Sequence, residues 1–221
     1  MELRQGDGGN RCGRFVVAKR FGRLIIAVPN HAYEVNTPRF RATWSKFTIQ
    51  AINRSSSREA IRRTIGAVKL ETIRHSTVVD WLPVDIHLSI IAAVMDVLGI
   101  EGARAFWKER LLAAFKTKAM APFVAGASMV FGEQPYALMK IAMSAYKLMA
   151  KSAGEITVTA GADGAVLMSF QDMAPGMARS AGWHALCHGQ CEAVLAYLKM
   201  EGEIALTDVT ASSFHYRMQR T

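Results

Sequence analysis

His184, Cys187, His188 and Cys191 fall at i, i+3, i+4 and i+7 in the stretch GWHALCHGQCEAVLAYL, residues 182–198. That spacing lines all four along one stripe of a helix. Two imidazoles and two thiolates are also the ligand set of a structural zinc site. Geometry argues against one. At about 1.5 Å rise per residue the first and last side chains start roughly 10 Å apart along a straight axis. Ligands of one tetrahedral zinc lie within roughly 4 Å of each other. On the helical wheel Trp183, Cys187, Val194 and Leu198 share a side, with Cys191 at its edge. His188, Glu192 and Lys199 point away from it, and His184 sits at the border. The thiols read as small core hydrophobes and the histidines as boundary or solvent groups, so no metal is expected, the alternative being a weak surface chelate by His184 and His188.

A second histidine chemistry, axial ligation of haem, needs a His on a helix that faces an apolar pocket. The candidate is His87 in VDIHLSII. With Val84, Leu88 and Ile91 as the core stripe, His87 lies about 60–100° off it. A boundary histidine and no cofactor follow. Catalytic patterns are missing too: the chain holds no GxSxG, GxxxxGK[ST], HExxH or CxxC, and no GxGxxG after a strand. Asp80 and Asp85 flank a Trp-Pro turn, but Asp85 falls in a first helical turn where its charge suits the helix dipole. Serines 55–57 have no evident base. The chain reads as a non-enzyme.

The elements that position these residues follow from periodicity and punctuation. Residues 1–38 carry GDGG, Gly13, Gly22, Pro29 and Pro38 and one short apolar run, which predicts a basic, weakly structured arm with at most a strand at 24–28. From Arg39 onward one domain is expected, residues 39–221. RFRATWSKFTIQAINR reads as a short amphipathic helix. SSSREAIRRTIGAVKLETIRH offers a serine cap and a helix with Ile61, Ile65, Val68 and Ile73 on its apolar face. WLPVDIHLSIIAAVMDVLG starts a third at Pro83 and stops at Gly99. Two more follow, the second, from Glu133, closed by Gly154. EITVTAGADGAVLMSF then alternates as a hairpin around GADG. A long helix over 178–200 and a strand pair in GEIALTDVTASSFHYRM finish the chain. The predicted class is α+β: a helical N-terminal half on an antiparallel sheet made of two hairpins separated by a long helix.

That order, with DWLPVDIHL, AGWHALCHGQCEAVLAYL and a terminal strand pair carrying SSFHYRM, resembles the 4-vinyl-reductase-type domain. Its superfamily includes haem-based nitric-oxide sensors and Bet-three-like subunits of vesicle-tethering complexes. More closely, the chain is similar to uncharacterised myxobacterial paralogues in which a Trp-x-Pro segment, here Trp81-Leu82-Pro83, opens a central helix. The resemblance covers roughly 39–221. It implies a sensor-like α+β fold, often dimeric, with a small-molecule or lipid cavity in some members, and it implies no activity. Some members bind zinc through cysteines near the last hairpin, where this chain has TDVTASSFHY. Nothing here resembles the porphyrin-contacting motif of the haem branch.

Composition bounds the rest. A chain of 221 residues, 51% hydrophobic, can bury one good core. Three cysteines argue for a reducing compartment, and the protein is expected in the cytoplasm. The longest apolar run, AMAPFVAGASMVFG, has 14 residues and contains Pro122, too short to span a bilayer, so no transmembrane segment is expected. Residues 1–75 hold 15 Lys and Arg against 5 Asp and Glu, so the whole positive excess sits in the first third. No nucleic-acid motif accompanies it, which makes nucleic acid an unfavoured partner. Eight of the twelve methionines lie between Met120 and Met177, among Phe106, Trp107, Phe115, Phe123, Phe131, Tyr136 and Tyr146. Such a surface suits a core, a pocket or an interface. Trp81, Phe106, Trp107, Met139, Met143 and Tyr146 are the pocket or interface candidates. The expected function is ligand sensing or protein interaction, by a homodimer that binds an apolar small molecule or a protein partner. The alternative is an adaptor that docks its basic third on an anionic surface, membrane or nucleic acid.

Overall fold

The structure is a computed structural model that describes residues 37–118, 120–131 and 134–221. The side chains of 127, 128, 130 and 131 lie outside this description, as does nearly all of the expected arm with its strand at 24–28.

The chain enters through strand β1 (Arg39–Arg41), which lies between β2 (Trp81–Pro83) and β3 (Ala150–Lys151) in a small antiparallel sheet. Phe40 is the buried pivot, opposite Leu82 on one side and Ala150 on the other. Two sequence expectations give way here. Residues 39–41 are extended rather than a first helical turn, and the last helix of the N-terminal half leaves helical geometry after Met149 instead of running to Gly154. In both places a backbone ladder supplies partners that the local pattern does not encode.

Three helices follow: α1 (Ala42–Asn53), α2 (Arg58–Ile65) and α3 (Ala67–His75). The expected single helix over α2 and α3 breaks at Gly66, whose φ of 88° and ψ of 146° no helix accommodates. Ser57 sits at the α2 N-cap but makes no side-chain cap. Helix α4 (Val84–Phe115) starts directly after Pro83 and bends at Gly99, where φ is 68° and ψ 177°. The predicted stop is therefore real, and a new helix resumes at once. As a whole α4 is long and apolar enough to cross a bilayer. Here it is broken in the middle and lines the core, with Ile86, His87, Ile90, Ile91, Val94, Ala103 and Trp107 buried. Helix α5 (Ala121–Phe131) was not expected as an element, and α6 (Pro135–Met149) follows it.

The second half matches the predicted order. Strands β4 (Glu155–Ala160) and β5 (Val166–Gln171) form the hairpin, α7 (Ala181–Tyr197) is the long helix, and β6 (Gly202–Thr207) and β7 (Phe214–Arg220) close the chain. The four strands make one antiparallel sheet in the order β4-β5-β7-β6. Helix α7 lies between this sheet and α4, which explains why residues on most of its circumference are buried. Ser180 caps it by accepting from the Trp183 amide at 3.1 Å. Gly182 and Gly189 let α4 approach closely: a Cβ on Gly189 would stand 2.4 Å from the Arg104 carbonyl oxygen. The class is α+β, as expected.

Candidate functional site

The interior is organised around His87. Its ring stacks on Phe40 with centroids 4.1 Å apart and planes 5° from parallel. Trp44 of α1 leans against it at 3.3 Å, and Trp183 of α7 stands at 6.3 Å. Trp107 stacks on Trp44 at 5.6 Å. The Arg110 guanidinium lies over both indoles, 4.8 Å from Trp44 and 5.7 Å from Trp107, and donates to the Trp44 carbonyl at 3.5 Å. Four elements thus converge on one imidazole: β1, α1, α4 and α7.

His87 is 1% exposed, which corrects the boundary assignment. The buried arc of α4 runs through Ile86, His87, Ile90, Ile91 and Val94, so of the assumed Val84–Leu88–Ile91 stripe Ile91 is buried while Val84 and Leu88 are only half-buried. The reason is that α4 is packed by several elements at once, β1, α1 and α2 as well as α7. Single-faced amphipathic logic picks the wrong centre for such a helix.

The polar atoms of this cluster are unusual. Both ring nitrogens of His87 are buried without a hydrogen-bond partner, as are Nε1 of Trp107, Nε1 of Trp183 and Nε of Arg110. Burial, with a smaller push from the neighbouring Arg110 charge, holds His87 well below the ordinary imidazole range. The ring is neutral at pH 7, so one nitrogen is a donor and the other an acceptor. Burial also draws Arg110 down to about 10, which leaves it charged.

Of the sequence candidates, Trp107 lies inside this cluster. Tyr146 edges onto Phe40 at 5.8 Å and donates to the Ala153 carbonyl at 3.0 Å. Phe106 meets Trp107 edge-on at 5.0 Å. Met139 is buried in the same continuous core, and Met143 packs half-buried against it. Trp81 sits apart, at the edge of the small sheet under the Arg41 guanidinium at 3.9 Å. Phe123, expected in the packed region, is 67% exposed. Sequence reasoning missed Phe40, Trp44, His87, Arg110 and Trp183 as a set. The available signal was the rarity of tryptophan: three of four lie in this cluster.

The His/Cys stripe divides. Cys187 and Cys191 are buried, and Cys191 Sγ lies 3.9 Å from Met168 Sδ on the sheet side. His184 Nε2 pairs with the Ala178 carbonyl at 2.8 Å, while His188 faces Glu192 at 3.4 Å. Glu192 also meets Lys108 at 3.8 Å, and these three line a groove of about 310 Å³ between α4, α7 and the start of β6. A second groove, about 300 Å³, crosses the outer face of the sheet beside Ser169 and His215. The Ser169 hydroxyl has no partner there, so no serine–histidine nucleophile is assembled.

No protein-family profile and no curated protein matches the chain. Solved structures do. An Fe(II) unliganded H-NOX protein from K. algicida superposes with a TM-score of 0.58 at 9% identity, covering 82% of this chain and 96% of that one. An oxygen-binding H-NOX domain related to soluble guanylate cyclases gives 0.58 at 16% identity, over 82% and 95%. A T. tengcongensis H-NOX variant gives 0.55 at 13% identity, over 82% and 97%. The fold is H-NOX-like.

Another matched structure is described by haem distortion in the H-NOX family, and the surroundings of His87 differ from what such a group needs. His87 is the one buried histidine among the described residues with both nitrogens unpartnered. Its ring is nonetheless enclosed by Phe40 and Trp44, and neither groove borders it. A porphyrin needs a flat apolar slot beside an exposed ring nitrogen. In this arrangement aromatic side chains fill that space, and the residues do not fit haem.

Proposed function

We propose that this chain is a non-enzymatic sensor or interaction domain that takes up a small, mostly apolar molecule beside His87. This reading keeps the closer resemblance to the 4-vinyl-reductase-type domain and to the myxobacterial paralogues with a Trp-x-Pro opening, a place in the cytoplasm, and a homodimer. The observation that carries it is the unpartnered His87 imidazole at the meeting point of four elements. Leaving a buried polar group unsatisfied costs about 1–3 kcal/mol, and retaining several together points to a partner that completes their hydrogen bonds. Indole N–H groups and an imidazole among apolar faces suit a ligand with one or two polar atoms on an apolar body. The H-NOX neighbours, one of them described as oxygen-binding, support a sensing role for the same fold.

Trp44 is the natural gate, because it belongs to the short helix α1 while His87 and Trp107 belong to α4. A ligand that enters would displace the Trp44 ring and alter tryptophan fluorescence. Native mass spectrometry of protein purified from its own host tests the reading. A co-purifying small molecule is expected in the wild type and absent from His87→Phe, which keeps a flat ring and removes both nitrogens. A wild type without adduct, or a variant that retains it, would sink the proposal. The same spectra report the subunit count.

A further inference from the structure

The N-terminal helices carry a feature that the His87 cluster does not use. Residues 39–80 contain nine Lys and Arg against Glu59, Glu71 and Asp80. Helix α1 buries Ala42, Ser45, Thr48 and Ile52 and has no acidic residue. Its opposite face presents Phe47, Gln50 and Arg54, at i, i+3 and i+7. The turn after α3 joins this face, because the Thr43 amide donates to the Val78 carbonyl at 3.2 Å and Phe47 follows Thr43 by one turn. Lys46 ties the same face to the end of α3 through the Arg74 carbonyl at 3.3 Å. At the other end Arg62 of α2 donates to Asn53 at 3.1 Å.

Apolar side chains stand in the open on this surface. Phe47 is 58% exposed, Val79 65% and Val78 57%, with Val68 of α3 at 81%. The acids are largely engaged: Glu71 by Arg74 and His75, Glu59 by Arg58, and Asp80 by the Thr77 amide. Arg54 and Arg63 have no acidic partner among the described residues.

We propose that the outer face of α1, α2, α3 and the 76–80 turn docks on an anionic lipid bilayer. Arginines meet lipid headgroups while Phe47, Val78 and Val79 enter the headgroup boundary, the combination of charge and apolar area that holds interfacial proteins. A second copy does not suit the surface, since a two-fold contact would set arginines against arginines. Nucleic acid matches the charge but leaves the exposed valines without a role, as backbone contacts need polar donors and base contacts need stacking or edge hydrogen bonds.

Vesicle co-sedimentation of the full chain tests this. With phosphatidylcholine vesicles containing about a third phosphatidylserine, binding is expected at about 0.1 M salt and loss at about 0.5 M. Pure phosphatidylcholine should bind at least about tenfold more weakly. Arg54→Glu with Arg63→Glu should weaken binding at least about tenfold, and Phe47→Ser with Val78→Ser several-fold even at low salt. All four positions are exposed, and an unchanged circular dichroism melt would confirm folding. Equal binding to both vesicle types, no binding to either, or full binding by the double arginine variant would overturn the proposal. So would tighter binding to duplex or single-stranded DNA that the same variants abolish, which would give the surface to nucleic acid.

Discussion

Phe40 and His87 stack face to face, 4.1 Å between centroids and 5° from parallel, although they are 47 positions apart. The contact joins the first described strand to the first turn of α4 and covers one whole face of the imidazole. It favours the neutral ring, because a charged one here would lose its hydration and gain no anionic partner.

Stability should therefore depend on pH through His87. Its folded-state pKa lies well below the ordinary value, from burial first and from Arg110 second, whereas the unfolded value is about 6.5. Below that pH the unfolded chain binds a proton that the folded chain refuses. Stability is fully present above about pH 6.5 and falls at up to about 1.4 kcal/mol per pH unit beneath it. His184 and His188, also lowered by burial, add in the same direction. Urea midpoints at pH 8 and pH 5.5 measure the effect, and His87→Phe should flatten it. Identical pH slopes in wild type and variant would show that His87 does not report this burial.

The close approach of α7 to α4 supplies a second test. A Cβ on Gly189 would meet the Arg104 carbonyl oxygen at 2.4 Å and the Trp107 Cβ at 3.1 Å, and backbone cannot swing aside as a side chain can. Gly189→Ala should cost about 1–3 kcal/mol through overpacking, outweighing any gain in helix propensity. Since Trp107 belongs to the His87 cluster, its fluorescence should shift as well. A melting temperature equal to or above wild type would show that the two helices can separate freely.

How far the sequence carried the reading depends on what each element answers to. Strands β4 to β7 and helix α7 are legible, because alternation around GADG and a long run with a helical apolar stripe are local patterns. Gly99 was legible as a stop for the same reason. The strand Arg39–Arg41 was not: three residues have no period, and only pairing with Trp81–Pro83 and Ala150–Lys151 makes them extended. His87 is not legible as a core residue because α4 is packed by α1, α2, α7 and β1 together, while the wheel presumes one covering face. Trp107 and Tyr146 stand out in the sequence by type and do reach the cluster, but Phe40, Trp44 and Trp183 come to it from three elements that no spacing rule connects.

The buried thiols should be inert. Burial pushes Cys187 well above the ordinary thiol range and Cys191 up to about 12, so almost no thiolate exists at pH 8. In a Cys12→Ser background, a thiol reagent should label nothing in the folded protein within minutes and two groups after denaturation. Elemental analysis should find less than about a tenth of an equivalent of zinc, because Cys187 and Cys191 face core residues while His184 and His188 pair with Ala178 and Glu192. Rapid labelling of the native protein, or stoichiometric zinc lost in Cys187→Ala, would contradict the packing described for α7.

The last test concerns where the folded domain begins. Composition placed the boundary after residue 38, and the structure puts structural contacts at that point: the Val84 amide donates to the Pro38 carbonyl at 3.1 Å, and Phe40 is 2% exposed. A chain starting at Thr37 should fold and melt cooperatively. One starting at Ala42 loses the central strand of the small sheet, leaves Leu82 and Ala150 without their partner, and strips one face of His87. Deleting a buried Phe side chain alone costs about 3–5 kcal/mol, a large share of the roughly 5–15 kcal/mol that holds an ordinary domain. Thermal melts of the two truncations compare them directly. Equal melting temperatures would make β1 an accessory, whereas an insoluble chain from Thr37 would show that residues before it belong to the core.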